Sequence, residues 1–276
     1  MKMKIVADSS SNLPALPGAP YACVPLKIVN GEREYIDNEA LDVAAMVNEL
    51  AAYKGKTGTS CPNVGEWLEA FGDSDRIFTV AITSNLSGAH NAALQAARVY
   101  MDAHPDRKVC CLDSLSTGPE MVLIILRLLE LMEEGLEFEA IEETIRSYME
   151  HTHLLFLLES VDNLAKNGRV SPLIAKAVGF LGIRIVGKAS DVGTLQQLHK
   201  CRNARRGVEA LLEEMAAMGF SGGRVNIAHV LNEDLGEQIR EAIAVRWPGS
   251  QITLVPATGL CSFYAERGGV LVGFEG

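Results

Sequence analysis

Two short loops hold the side chains in this 276-residue chain best suited to chemistry. The first, Thr83-Ser84-Asn85-Leu86-Ser87-Gly88, follows the apolar run Ile77–Ile82, which reads as a strand, and opens a segment with helical spacing. The second, Gly58-Thr59-Ser60-Cys61-Pro62-Asn63, also leads into a helix and is equally rich in hydroxyls. A helix start offers unpaired N–H groups and the positive end of a dipole, so it attracts anions. Small hydroxyl residues let an oxyanion approach closely and donate further hydrogen bonds. Capping alone also accounts for Ser87 and Asn63, because serine and asparagine favour helix starts. Together the two loops point to a small anionic group.

Other candidates supplement these loops. Arg169 sits at a turn and Arg202 follows a strand-like run; either can reach a carboxylate, and either can equally form a surface ion pair. Gly55-Lys56-Thr57 imitates the end of a phosphate-binding loop, but the required first glycine is Leu50 and a helix precedes it. No serine lies in a Gly-x-Ser-x-Gly elbow. An acyl- or phosphoryl-transfer enzyme using Ser87 or Thr59 as nucleophile would need a base from elsewhere, such as His229 or His90. The six histidines, including His151 and His153, and the six cysteines show no metal-ligand spacing, so no metal and no cofactor are expected. Vicinal Cys110 and Cys111 read as small buried hydrophobes.

These loops must be held by a regular framework. Lys4–Ala7, Ala22–Val29, Ile77–Ile82 and Lys108–Leu112 are strand-like. They alternate with helical segments capped at Asp42 and Asn63, one over Gly88–Met101 and two within Pro119–Met149. Strands separated by helices imply right-handed parallel crossovers. From about residue 155 the rhythm changes. Leu154–Leu158 reads as a strand, Ile183–Val186 and Thr194–Lys200 as a hairpin turning at Asp191-Val192-Gly193, and helices over Ala204–Met218 and Leu235–Val245 are followed by further strands. The expected fold class is α/β: an N-terminal domain (1–155) with a mostly parallel sheet flanked by helices and carrying both loops. A C-terminal α+β domain (156–276) with a mixed sheet completes it. A net charge of −10 argues against nucleic acid or an anionic membrane as partner. The apolar stretch Met121–Met132 is interrupted by Arg127 and Glu130 and is too short to span a bilayer. Unpaired thiols and the lack of a signal-like segment suggest a reducing, cytoplasmic setting.

Taken in order, these segments resemble the DegV family of bacterial fatty-acid-binding proteins. The resemblance rests on Ile5-Val6-Ala7-Asp8-Ser9-Ser10, Thr59-Ser60-Cys61-Pro62, Thr83-Ser84-Asn85-Leu86-Ser87-Gly88 and Val109-Cys110-Cys111-Leu112-Asp113-Ser114. Leu164-Ala165-Lys166-Asn167-Gly168-Arg169-Val170-Ser171 and Lys200-Cys201-Arg202-Asn203-Ala204-Arg205-Arg206 extend it over nearly the whole chain. It implies a long-chain fatty acid in a tunnel between the domains, with Thr59 and Ser87 on its carboxylate and Ser60, Ser84 and the Gly88 amide nearby. Arg169 and Arg202 would lie near the head group or a partner surface. The family presents its acid to a separate ATP-dependent kinase subunit, which forms the acyl phosphate, so this chain would bind and not catalyse; a regulatory protein with incidental lipid binding is the alternative. Phe180, Leu181 and Phe263 are candidate lining residues. One departure stands out: the family's late His-x-Gly-Pro-Gly segment is Tyr264-Ala265-Glu266-Arg267-Gly268 here, placing Ala265 at the histidine and leaving Tyr264 as a substitute donor.

Overall fold

The computed structural model describes residues 2–31, 33–170 and 182–276. Strand β1 (Met3–Asp8) runs into a single 3-10 turn, Ser9–Ser11, and β2 (Tyr21–Val24) lies parallel to it. Strands β3 (Lys27–Val29), β4 (Glu34–Ile36) and β5 (Gly58–Ser60) form a separate antiparallel sheet in the order β4-β3-β5. The run 22–29, expected as one strand, is therefore two strands in two sheets. Pro25 divides it: proline has no N–H to donate to a ladder. At the break, the Leu26 N–H turns aside to Ser9 Oγ, at 2.9 Å.

Helix α1 (Val43–Ala52) starts at Asp42, whose side chain accepts the Ala45 N–H, and α2 (Val64–Phe71) starts at the expected Asn63–Glu66 capping box. Strand β6 (Arg76–Ala81), helix α3 (Ala89–Ala103) and strand β7 (Lys108–Asp113) complete the parallel sheet, ordered β2-β1-β6-β7. Its central strands are buried on both faces, as Ile5, Val6, Phe78 and Val80 show, which is how a doubly covered parallel sheet reads. Trp67, Phe71 and Tyr100 of α2 and α3 pack on one face. Helices α4 (Pro119–Glu133) and α5 (Phe138–Met149) cover the other.

Strand β8 (Thr152–Leu158) straddles position 155 and pairs only with the second sheet, so the connection between the units lies between Met149 and Thr152. After α6 (Asp162–Lys166) come β9 (Arg184–Ala189), β10 (Leu195–Cys201), α7 (Ala204–Ala217), β11 (Arg224–His229), α8 (Glu233–Arg246), β12 (Gln251–Pro256), α9 (Gly259–Ala265) and β13 (Val270–Glu275). The six strands are ordered β10-β9-β8-β13-β11-β12, and only the β11–β12 pair is parallel. Beneath this mixed sheet, α7 and α8 bury Leu211, Met215, Ile239 and Ile243 against Leu155, Leu157 and Val272.

Helix α4 packs against strands of both large sheets. That explains its mostly apolar sequence, because a helix packed against two layers keeps only a narrow polar face, here Arg127, Glu130 and Glu133. Among the described residues, no helix is long and apolar enough to cross a membrane.

Candidate functional site

Between the loop ends of the parallel sheet and the open face of the mixed sheet lies an apolar slot. Period-two alternation on β8 builds its wall: Leu154, Phe156 and Leu158 face the slot, while Leu155 and Leu157 face α7 and α8. Leu271 of β13, Leu195 of β10 and Leu164 of α6 extend that wall, and Leu26, Ile82, Leu260 and Cys261 close the opposite side. A Cβ on Gly187, the β9 partner of Phe156, would collide with the phenyl ring, so glycine there makes room for the wall. The empty space, counted out through the mouth, is about 690 Å3. Burial pushes the Cys261 thiol up to about 12, so it stays neutral and serves as apolar wall.

Polar groups gather at one end. Thr59 on β5 and Tyr264 on α9 meet through their hydroxyls at 2.8 Å, with either as donor. Ser87 and Arg169 line the same end. The Arg169 guanidinium lies 5.9 Å from the Tyr264 ring centre, and its Nε donates to the Leu86 carbonyl at 3.3 Å. Ser87 Oγ accepts the Ala89 N–H at 3.2 Å, one residue before the Gly88 cap of α3, and lines the slot as well. Burial raises the Tyr264 phenol despite the opposing effects of Thr59 and Arg169, which keeps it a neutral donor. Two hydroxyls, a phenol and a guanidinium at the end of a greasy slot suit a molecule with a long apolar body and a small anionic head.

Buried carboxylates hold these elements in place. Asp8 accepts the Ile82 N–H at 2.8 Å and the Ser10 N–H at 3.0 Å, which fixes the end of β6 where the 83–88 loop begins. Burial pushes its carboxyl up to about 6 against those hydrogen bonds. Asp37 accepts the Gly259 and Leu260 N–H groups at 2.7 and 3.0 Å, anchoring the start of α9 and so placing Tyr264; its carboxyl is also raised by burial. The β9–β10 hairpin clasps the loop from the other unit: Thr83 Oγ1 donates to the Gly193 carbonyl at 2.9 Å, and Asn85 Nδ2 to the Val192 carbonyl at 2.6 Å. Gly193 has φ +71, and a Cβ there would collide with Thr83, so both backbone shape and closeness require glycine.

Of the eight candidate site residues, Thr59, Ser87, Arg169 and Tyr264 come together. Ser60 and Ser84 are exposed and do not line the slot; the Ser84 N–H is taken by Asp113 Oδ1 at 3.1 Å. Gly88 is exposed at the α3 start, where an added Cβ would lie 3.2 Å from Cys61 Sγ, so it lets the two hydroxyl loops approach. Arg202 is exposed at the far end of β10 from Leu195 and lines a separate surface depression with His199, Asn203 and Arg206. Phe263 is buried in the same core as the β8 wall but does not line the slot, and Phe180, Leu181 and Ser171 lie outside the described residues. His229 Nδ1 accepts the Asn232 N–H, and His90 Nε2 is buried without a hydrogen-bond partner among the described residues; neither pairs with Ser87 or Thr59. Thr117 joins the lining unforeseen, and Ala265, at the position of the family's histidine, lines it too. Asp37 was also unforeseen; it sits among Glu34, Glu39 and Asp42, and nothing local sets it apart from them.

A family model described as "Uncharacterised protein, DegV family" matches residues 2–275. A DegV domain-containing protein of Streptococcus pneumoniae is 42% identical over 279 aligned residues, covering 100% of this chain and 99% of its own. A crystal structure of a DegV family protein from Eubacterium eligens, loaded with heptadecanoic acid, matches with a TM-score of 0.97 at 42% identity over 99% of each chain. The Streptococcus pneumoniae Fatty Acid Kinase (Fak) B3 protein, loaded with linoleic acid, matches with a TM-score of 0.97 at 42% identity over 100% of this chain and 99% of its own.

Proposed function

The chain belongs to the DegV family, and we propose from that premise that it shelters a long-chain fatty acid in the apolar slot. The carboxylate would meet Thr59, Ser87 and Tyr264, with Arg169 beside them. In this reading the chain is a binding subunit without catalysis of its own, and it presents the carboxylate to a separate ATP-dependent kinase subunit for acyl phosphate formation. The observation that carries the proposal is the join between the two parts: the Thr59–Tyr264 hydroxyl pair closes a slot whose other walls are mostly leucine, with Ile82, Phe156 and Cys261.

The energetics support it. Burying a methylene yields about 0.8 kcal/mol, so about fifteen give roughly 12 kcal/mol before ordering costs of about 4 kcal/mol or more. A tail bound so firmly leaves the head needing orientation more than grip. Neutral hydroxyls orient a carboxylate while leaving it open to transfer, and Tyr264 supplies the donor that Ala265 cannot. Two related proteins of the same fold, each 42% identical to this chain, were crystallised loaded with heptadecanoic and linoleic acid.

Native mass spectrometry of the protein as expressed tests the proposal directly. The expected result is a bound mass matching one long-chain fatty acid, lost on delipidation and restored by palmitate or oleate. A delipidated, folded protein with no measurable affinity for either acid would overturn it.

A further inference from the structure

We infer that Leu154 is the partition that fixes how long an acyl chain the slot accepts. The inference rests on the fatty-acid reading above and deepens it by naming the residue that stops the tail.

Strand β8 presents Leu158, Phe156, Leu154 and Thr152 in one row on its slot face, because side chains two residues apart share a side. The Leu158 end lies by the head group. There Glu266, just after α9, accepts from Ser160 Oγ at 2.9 Å and from the Asn163 N–H at 3.0 Å, drawing Tyr264 towards α6 and Arg169. Leu154 stands about 14 Å along the row from Leu158, at a rise of about 3.4 Å per residue. It is 2% exposed and borders two spaces, the apolar slot and a second cleft beyond it that opens between α5 and the 189–191 turn.

The chemistry changes abruptly past this side chain. Thr152, next in the row, donates to Glu120 Oε1 at 2.9 Å, and both residues are 5% exposed. Burial pushes the Glu120 carboxyl up to about 7. The rest of the cleft mixes Leu115, Met149 and Ala189 with the charged or polar Arg146, Glu150, His153 and Asp191. A methyl end travelling down the slot therefore gains from every carbon it buries up to Leu154. Beyond it stand the buried, hydrogen-bonded Thr152–Glu120 pair and a cleft edged by charged side chains, where each further carbon gains less. One leucine side chain separates the two spaces, so its size sets the break point.

The test is a chain-length series of saturated fatty acids titrated into delipidated wild-type protein and into Leu154→Ala and Leu154→Phe. In the wild type, affinity should rise about fourfold per added methylene and then stop rising at one length. Leu154→Ala should move that break to longer acids, raising the affinity ratio of long over short acids at least fourfold. Leu154→Phe should move it to shorter ones. If the alanine variant fails to fold, Leu154→Val carries the same test with a smaller shift in the same direction. A wild type that binds acids while every folded variant keeps the wild-type break point overturns this inference and leaves the fatty-acid reading intact. A wild type that binds no acid of any length overturns both.

Discussion

The two sheets contribute to the slot in opposite ways. The parallel sheet and the small sheet beside it supply loops: the 83–88 turn opens at the carboxyl end of β6, and Thr59 stands on β5, so their share is mostly hydrogen-bonding groups. The mixed sheet supplies a surface: Leu154, Phe156 and Leu158 on one face of β8, with Leu271 beside them. Parallel strands expose their ends to a ligand because helices cover both faces. An antiparallel strand can turn one whole face to a ligand and keep the other for the core. Orientation and adhesion are thus assigned to different architectures, and each should fail in its own way when damaged.

The largest effect should come from the adhesive side. Phe156→Ala should cost about 3–5 kcal/mol of stability, read by urea denaturation, because the ring packs over Gly187 and no neighbour can fill its place. It should also weaken binding of acids whatever their head group. If stability is unchanged, the wall is not part of the core and the contrast breaks.

An intermediate effect is expected where the two units touch. Burial holds the Glu120 carboxyl at about 7, against 4.5 for the ordinary group. Between those values the folded protein retains a proton that the unfolded chain releases, so stability falls as pH rises from about 4.5 to about 7 and then levels off. Glu120→Gln keeps an acceptor for Thr152 and should remove that fall, making the variant more stable than wild type at pH 8 by on the order of 2 kcal/mol in chemical denaturation. Asp8, on the parallel-sheet side, should still produce its own decline from 3.8 to about 6 in both proteins. A Glu120→Gln profile that matches wild type through neutral pH would refute the assignment.

The smallest effects belong to the orienting side. Thr59→Val should lower fatty-acid affinity about tenfold, the worth of one hydrogen bond to a charged group, and shift stability by no more than about 0.5 kcal/mol. Arg202→Ala should leave affinity within about twofold, since it is exposed away from the slot. Calorimetric titration of both variants checks the pair. Equal losses would mean that the head group is not where Thr59 is.

Local signals made much of this legible in advance. Asn63 followed by Glu66 announced the start of α2, and Asp191-Val192-Gly193 announced the hairpin between β9 and β10, because both are written within a few residues. Strand–helix alternation likewise gave the parallel sheet and the change of rhythm the mixed one. Thr59 was found as a loop hydroxyl, yet it stands on a strand paired through Ile28 with β3, in a much earlier run that Pro25 cuts in two. Tyr264 came to notice through a missing histidine, while its bond to Thr59 spans 205 positions and leaves no periodic trace. For Arg202 the sequence left two places open, head group or surface, because a basic residue after a strand looks the same whichever end of the sheet that strand reaches; the fold puts it on the surface. Asp37 escaped because its partners, two backbone N–H groups of α9, exist only after folding.

Helix α4 has a mechanical consequence. Met121, Leu123, Ile124, Ile125, Leu128 and Leu131 are almost fully buried on this one element, which serves as filling for two layers at once. Prying the layers apart would wet these residues at about 1.5–3 kcal/mol each, which together exceeds much of the margin that keeps a whole domain folded. Parting the two layers along this spine is therefore a costly motion, whereas the 83–88 turn is tied to the β9–β10 hairpin by the two side-chain hydrogen bonds of Thr83 and Asn85.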